Sequence, residues 1–494
     1  MRLPAPDVAR ALAQRLHALD YTVEGVQSLL GPMAAAALDR GNAVPALALL
    51  GDRDDPLSIV TRCLLLAQSV DVALLESACG TSLGELADLT RDSGDGRVAS
   101  TVELAPHAID GDWLLASDWS AARTGRELRS DHVLGAGGAS LMLAQCTVRP
   151  VVERALDLGV GCGVQSLSLS RHCTSIVGTD VSERALTIAA FNAALNGIDL
   201  DLRLGSLYEP VEGEQFDLIV SNPPFVIGSP DAARHDYRDA GLPGDEVCRR
   251  VVSEAHTLLR PGGWCQLLAN WEIHDGASWS QRPASWLADS PLDAWVVQRE
   301  VQDPAAYVET WLRDAGSAHE ATTYAAEFVD WQRGLTERGV VGIGFGLVTL
   351  RAGRRAQPLR RFQHVPQALA QPIGPEIEAW FARQDWLDRG PGQPADLLLR
   401  RARVAADVRI DVRRAPGDAA AEELVALREG GFRWTATLDP FGAAVLDRVA
   451  PDRSLGEVVA GVAEEFGVAA TRALTSAVPV LRRMVEEGFL EPAD

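Results

Sequence analysis

The sequence predicts an α/β fold: a doubly wound, mostly parallel sheet, flanked by smaller, mainly helical or winged-helix-like domains at both ends. Three observations predict it. Between residues 111 and 353, short apolar runs alternate with helical stretches, the pattern of a parallel sheet covered on both faces. The first of these runs enters Gly159-Val160-Gly161-Cys162-Gly163, and a helix begins at once. The fourth run ends in Asn222-Pro223-Pro224-Phe225. A chain of 494 residues is too long for one core and implies several domains.

Residues 1–110 read as a helical or winged-helix-like domain. Val8, Leu12, Leu16 and Leu19 recur at helical spacing. Gly31-Pro32 and Gly51-Asp52 are breaks. Residues 57–66 and 82–89 supply short helices, and the alternation across 98–104 reads as one strand. In 111–353, strands are expected at 154–158, 175–178, 200–204, 216–220 and 264–269, with 341–350 returning to an edge. Helices are expected from Val164, over 182–196 with Ser182 as N-cap and Gly197 just past the end, and over 245–259. Residues 354–429 are rich in Arg and Pro and read as linker. Residues 430–494 read as a small winged-helix-like domain, with a strand at 434–438 and three helices at 441–449, 455–466 and 470–487.

Composition narrows the function. Hydrophobic residues make up 47% and charged residues 23%, the balance of a folded protein. Net charge is −22 and every basic side chain is Arg or His, which argues against broad, nonspecific duplex binding. The seven cysteines show no C-x-x-C spacing, so neither a disulfide framework nor a metal site is expected. No apolar run has signal-peptide or membrane-spanning character, which points to a cytoplasmic protein with no membrane partner.

The cofactor segment is Asp157-Leu158-Gly159-Val160-Gly161-Cys162-Gly163. Its glycines let the backbone turn sharply and approach a ligand. The third glycine comes one residue early for a dinucleotide fingerprint, and Asp157 would repel a pyrophosphate. The same carboxylate would favour a cationic ligand. Asp180 lies 17 residues past Gly163 at the end of the second strand, where a carboxylate can take ribose hydroxyls. The combination resembles motifs I and II of class I methyltransferases. The resemblance implies a Rossmann-like domain, with S-adenosyl-L-methionine held by Asp157, Gly159, Gly161, Gly163, Asp180 and Asn222. Many members carry Asp after the third strand for the adenine amine; here Ser206 and Leu207 stand there instead. The cluster Gly135 to Ser140 could close over the methionine end.

Asn222-Pro223-Pro224-Phe225 resembles the [DN]-P-P-[FYW] motif of N6-adenine, exocyclic-guanine and release-factor glutamine (HemK-type) methyltransferases. All share an acceptor nitrogen whose lone pair is delocalised. Asn222 oxygen and the Pro223 carbonyl can accept its two in-plane hydrogens, which aligns it and raises its electron density. Pro224 stiffens the turn, and Phe225 can stack on a flat group. Residues 237–244 resemble the segment that follows this motif in glutamine-modifying relatives. The favoured acceptor is an exocyclic base amine in RNA, with DNA second, for which the Arg-rich 351–414 stretch speaks. The alternatives are a protein glutamine amide, which the acidic net charge favours, a natural-product peptide recognised by a C-terminal unit that resembles PqqD-type domains, and a silent scaffold. A macromolecular substrate accounts best for so much flanking chain.

Overall fold

The computed structural model describes residues 2–124, 128–224, 226–227, 244–314, 321–353, 355–389, 394–414 and 422–493. A central eight-stranded sheet comprises β1 (Val152–Leu158), β2 (Cys173–Asp180), β3 (Asp201–Leu204), β4 (Phe216–Ser221), β5 (Leu259–His274), β6 (Asp293–Gln302), β7 (Val340–Arg351) and β8 (Arg360–His364). Their order is β3-β2-β1-β4-β5-β7-β6-β8. β3, β2, β1, β4 and β5 run parallel, β7 is antiparallel to β5 and β6, and β8 is parallel to β6. The chain builds outward from β1 through β2 to β3, then crosses back to β4. The loops after β1 and β4 therefore diverge and open a crevice at the strand ends, the usual ligand position in such a sheet.

Four helices bear on that crevice: α1 (Gly138–Cys146), α2 (Val164–Leu169), α3 (Glu183–Asn196) and α4 (Glu246–Glu254). Ser182 caps α3 by accepting from the Ala185 N–H at 3.3 Å, and Gly197 ends it in the left-handed region. Leu156, Ile219, Val251, Leu267 and Val348 are buried together between sheet and helices. Trp271 is fully buried and stacks on Trp279, so it packs the core.

Several expectations need correction. The helix expected over 245–259 stops at Glu254, and after a short 3-10 turn Leu259 opens β5, whose 16 residues enclose the shorter strand expected at 264–269. The strand expected over 98–104 is two strands, Arg97–Ser100 and Glu103–Ala108. The Thr101 N–H turns away to Leu89 at 2.9 Å, and the Ser100 hydroxyl reaches forward to the Val102 carbonyl at 2.5 Å. The second strand forms a hairpin with Asp112–Ser117. Gly31, at φ 68°, kinks the helix Val23–Asp39 rather than ending it.

The chain divides into two compact units, residues 1–144 with 150–365, and residues 145–149 with 366–494. The helical N-terminal segment belongs to the first unit because its core takes in Phe191, Ala194 and Leu195 of α3. The stretch expected as linker is folded. It supplies β8, the helix Gly374–Leu387 and the strands Val408–Arg414 and Glu422–Arg428, which pair with each other, the second also pairing with Thr435–Leu438. Helices Pro440–Arg448, Leu455–Glu465 and Ala470–Glu486 complete the second unit much as the sequence suggests. No described helix is long and apolar enough to cross a membrane.

Candidate active site

The crevice holds a cavity of about 440 Å³. β1 delivers the glycine loop into its wall. Gly159 and Gly161 sit at φ 78° and 53°, conformations that a side chain would strain. The Gly161 N–H donates to Asp180 Oδ2 at 3.0 Å, and the Ser182 N–H donates to Asp180 Oδ1 at 2.9 Å, so two backbone amides orient this carboxylate at the end of β2. Ser206 and Leu207 line the same cavity after β3. Leu207 lies at φ 47°, which costs a β-carbon residue about 1–2 kcal/mol.

Asp157 stands behind the wall rather than on it. Its side chain is buried, and Oδ2 accepts from the Ser166 N–H at 2.8 Å and the Ser166 hydroxyl at 2.7 Å. Oδ1 is buried without a partner. Burial pushes this carboxyl up to about 7, against the two Ser166 hydrogen bonds, with the charge of Asp180 adding to the rise. Gly163 also stays off the cavity wall and instead opens α2 at φ 90°.

β4 ends in the acceptor turn. The Ser221 hydroxyl donates to the Leu158 carbonyl at 2.7 Å, tying β4 to β1 where their loops part. Asn222 Nδ2 donates to Ser140 Oγ at 3.1 Å, and Asn222 Oδ1 is buried with no partner among the described residues. Gln165 on α2 donates to the Ser140 carbonyl at 2.8 Å and so fixes the residue that fixes Asn222. Pro223 and Pro224 line the cavity. Phe225 and residues 237–243 lie outside the described residues.

A second cavity of about 940 Å³ meets the first along Leu134, Gly135, Ser140, Asn222 and Pro223. Its far wall is the kinked helix Val23–Asp39, the strand Glu103–Ala108 and Trp311. Among the described residues, the charged side chains lining it are Asp39, Glu103 and Arg123. Burial lowers the His107 imidazole to about 4, so it lines the cavity as a neutral group.

The residues expected at the site thus come together with the exceptions named. The supports were missed. Asn192 on α3 takes the Ala116 N–H at 2.7 Å and donates to the Ala116 and Cys162 carbonyls, joining the hairpin to the glycine loop. Asn196 repeats this with Leu114. Asp118 pairs with Arg184 and accepts from the Val133 N–H at 2.9 Å, holding the segment His132–Gly135 against the cavity. The one available signal was the pair of asparagines four residues apart on an otherwise apolar helix face. Among the described residues no cluster of three metal-ligating side chains occurs, and no disulfide joins any cysteine.

Fold and site together define an α/β enzyme with a cofactor cavity at the sheet's switch point and a second cavity meeting it at Asn222. Comparison with known proteins gives the family. Residues 136–276 match the family described as "Methyltransferase small domain". Residues 18–100 and 378–492 each match a domain of unknown function. The ribosomal RNA small subunit methyltransferase C of Alcanivorax borkumensis is 37% identical over 120 residues, 24% of this chain and 33% of that protein. The release factor glutamine methyltransferase of Xylella fastidiosa is 38% identical over 131 residues, 24% of this chain and 48% of that protein. A Methanocaldococcus jannaschii protein, provisionally named as a protein N5-glutamine methyltransferase, is 32% identical over 134 residues, 26% of this chain and 68% of that protein. The chain therefore spans only a third to a half of the first two relatives. It belongs to the class I S-adenosylmethionine-dependent methyltransferases, and S-adenosylmethionine is its cofactor.

The site fits that cofactor on its own evidence. A nucleoside-sized cavity, a carboxylate on its wall at the end of β2, and the buried Asp157 carboxyl behind the glycine loop suit a ligand with hydroxyls at one end and positive charge at the other.

Proposed function

We propose that the protein methylates a planar nitrogen of a macromolecule, and that this nitrogen is a side-chain amide of a protein. The observation that carries the first part is Asn222 Oδ1, buried and unpartnered where the two cavities meet. Ser140 takes the amide's donor side and leaves its acceptor oxygen unsatisfied beside the ligand space. In this reading Asp180 takes the ribose hydroxyls, Ser206 and the Leu207 backbone meet the adenine edge, and Gly159 and Gly161 face the cationic end, with the Asp157 carboxyl buried behind them. The cofactor supplies an electrophilic methyl group. Asn222 Oδ1 and the Pro223 carbonyl each accept one N–H of the substrate, which holds its nitrogen in line for attack. Asn222 carries no charge to act as a base, so the extra proton leaves to water after transfer. Phe225 is the candidate for stacking on the acceptor plane.

The choice of a protein amide over a base rests on charge. Among the described residues, the second cavity carries two carboxylates against one arginine. The arginines that suggested nucleic acid have other engagements: Arg351 and Arg355 pair with buried Asp293, Arg360 donates to the Ser290 carbonyl at 2.5 Å, and Arg403 pairs with Glu491. A phosphate backbone gains little from such a surface. A base amine in RNA is the second reading, favoured by the ribosomal RNA relative. Seven cysteines without a disulfide favour a reducing, cytoplasmic setting. Incubating the enzyme with methyl-labelled cofactor and separate protein and RNA fractions from a strain lacking it tests the choice. Label in protein that alkaline RNA hydrolysis does not remove is the expected result; label confined to RNA would make the base the acceptor.

A further inference from the structure

The strand Glu103–Ala108 pairs with Asp112–Ser117 in a fixed register, with Glu103 opposite Ser117. Asn192 and Asn196 pin that hairpin to α3, so its side chains stand on a rigid support. Strand alternation puts Glu103, Ala105 and His107 on one face, and all three line the second cavity. Glu103 is the odd member. Its carboxylate takes no hydrogen bond and no ion pair among the described residues, although the cavity desolvates it and pushes its pKa up. Arg123 lines the same cavity and draws the carboxyl down by its charge without pairing with it. A carboxylate held in a cavity and left unmatched by the protein is a group that a ligand can match, and its absence of partners penalises any ligand that does not.

Resting on the reading of this cavity as the acceptor site, we propose that Glu103 is a specificity-determining residue, whose carboxylate receives an N–H or cationic donor from the segment flanking the acceptor amide, so that the enzyme selects a basic or donor-rich peptide. The small-residue cluster Gly135 to Ser140 leaves room for such a segment beside Asn222. Gln27, exposed on the kinked helix, forms part of the opposite wall.

The test is steady-state methyl transfer to the protein fraction, then to the labelled protein once purified, with wild type, E103Q, E103D and Q27W. Cofactor affinity and melting temperature are measured beside it. E103Q is expected to raise the acceptor KM by about tenfold, the value of one charge-assisted hydrogen bond. Its kcat at saturation should stay within a few-fold of wild type, and E103D should recover part of the loss. Q27W, which fills the cavity from an exposed helix face, should lower kcat/KM without changing cofactor affinity. Transfer indifferent to both E103Q and Q27W overturns the role of Glu103 and leaves the methyltransferase reading standing. Label in RNA alone overturns the peptide selection. A wild type that binds cofactor and labels no fraction overturns the acceptor reading and this inference with it.

Discussion

At the scale of single residues, two buried oxygens do most of the explaining. Asn222 Oδ1 has no partner among the described residues, while Ser140 accepts from the amide's other side. In the proposed mechanism, replacing Asn222 by Ala removes one of the two acceptors for the substrate nitrogen. Loss of one such aligned group costs about 10²–10³ in kcat, and cofactor affinity should change far less. Single-turnover transfer alongside equilibrium cofactor binding checks both halves. Asp157 gives a pH signature. Its carboxyl sits at about 7 in the folded protein against an ordinary 3.8, so between those values the folded state holds a proton that the unfolded chain has lost. Stability from this group is therefore full below about pH 4 and falls as pH rises to about 7, by at most about 4 kcal/mol. D157N should flatten that fall, which denaturant unfolding at pH 5 and pH 8 would reveal. A cation placed near Asp157 favours its ionised form, so cofactor binding near pH 7 should release a proton, read by calorimetry in buffers of different ionisation heat. The acidic and amide residues of the site were legible in the sequence because their chemistry is written in short motifs. Their orientation was not: that Asp157 faces Ser166 rather than the cavity depends on how α2 leaves the loop.

At the scale of elements, the glycine loop and its props form one device. Gly161 at φ 53° aims its N–H at Asp180, and α2 sends Gln165 to hold Ser140. G161A should cost about 1–2 kcal/mol in stability through left-handed strain alone and weaken cofactor binding as Asp180 loses its orienting amide. S140A should leave cofactor affinity near wild type and lower kcat by roughly tenfold, the value of a lost hydrogen bond near 1.4 kcal/mol; restoration by S140T would tie the effect to the hydroxyl. β1, β2 and β4 were readable because each holds a short apolar run bounded by turn residues, and β3 because apolar and charged residues alternate along it. β6 and β8 were not. Asp293–Gln302 mixes apolar and charged residues, and its register with β7 shifts at Gln298 and Glu300. Arg360–His364 is polar but for Phe362 and is a strand along the edge of β6.

At the scale of the whole molecule, the Arg-rich stretch shows how composition misleads without partners. It reads as a solvated linker, yet in the second unit Arg428 reaches Asp407 at 3.1 Å and donates to the Gly488 carbonyl at 2.9 Å, while Arg383 reaches Glu376 at 2.5 Å. Both guanidiniums are buried. Removing Glu376 would strand Arg383, and breaking one side of a buried pair costs about 3–5 kcal/mol. E376A should therefore lower the unfolding midpoint of residues 366–494, followed by hydrogen exchange, while protection around β1 and β4 and cofactor affinity stay unchanged. Domain boundaries were the least legible feature. The N-terminal helices share a core with α3, and nothing in a local pattern announces the contact between the helix Pro6–Ala18 and α3 that chain folding alone creates.

The central claim is that the Asn222 turn presents an acceptor nitrogen to S-adenosylmethionine. The most direct measurement is methyl transfer from labelled cofactor into fractionated protein and RNA by wild type and N222A, at matched cofactor occupancy. Label in the protein fraction from wild type that N222A fails to deposit is the predicted result. Equal labelling by both proteins would contradict it.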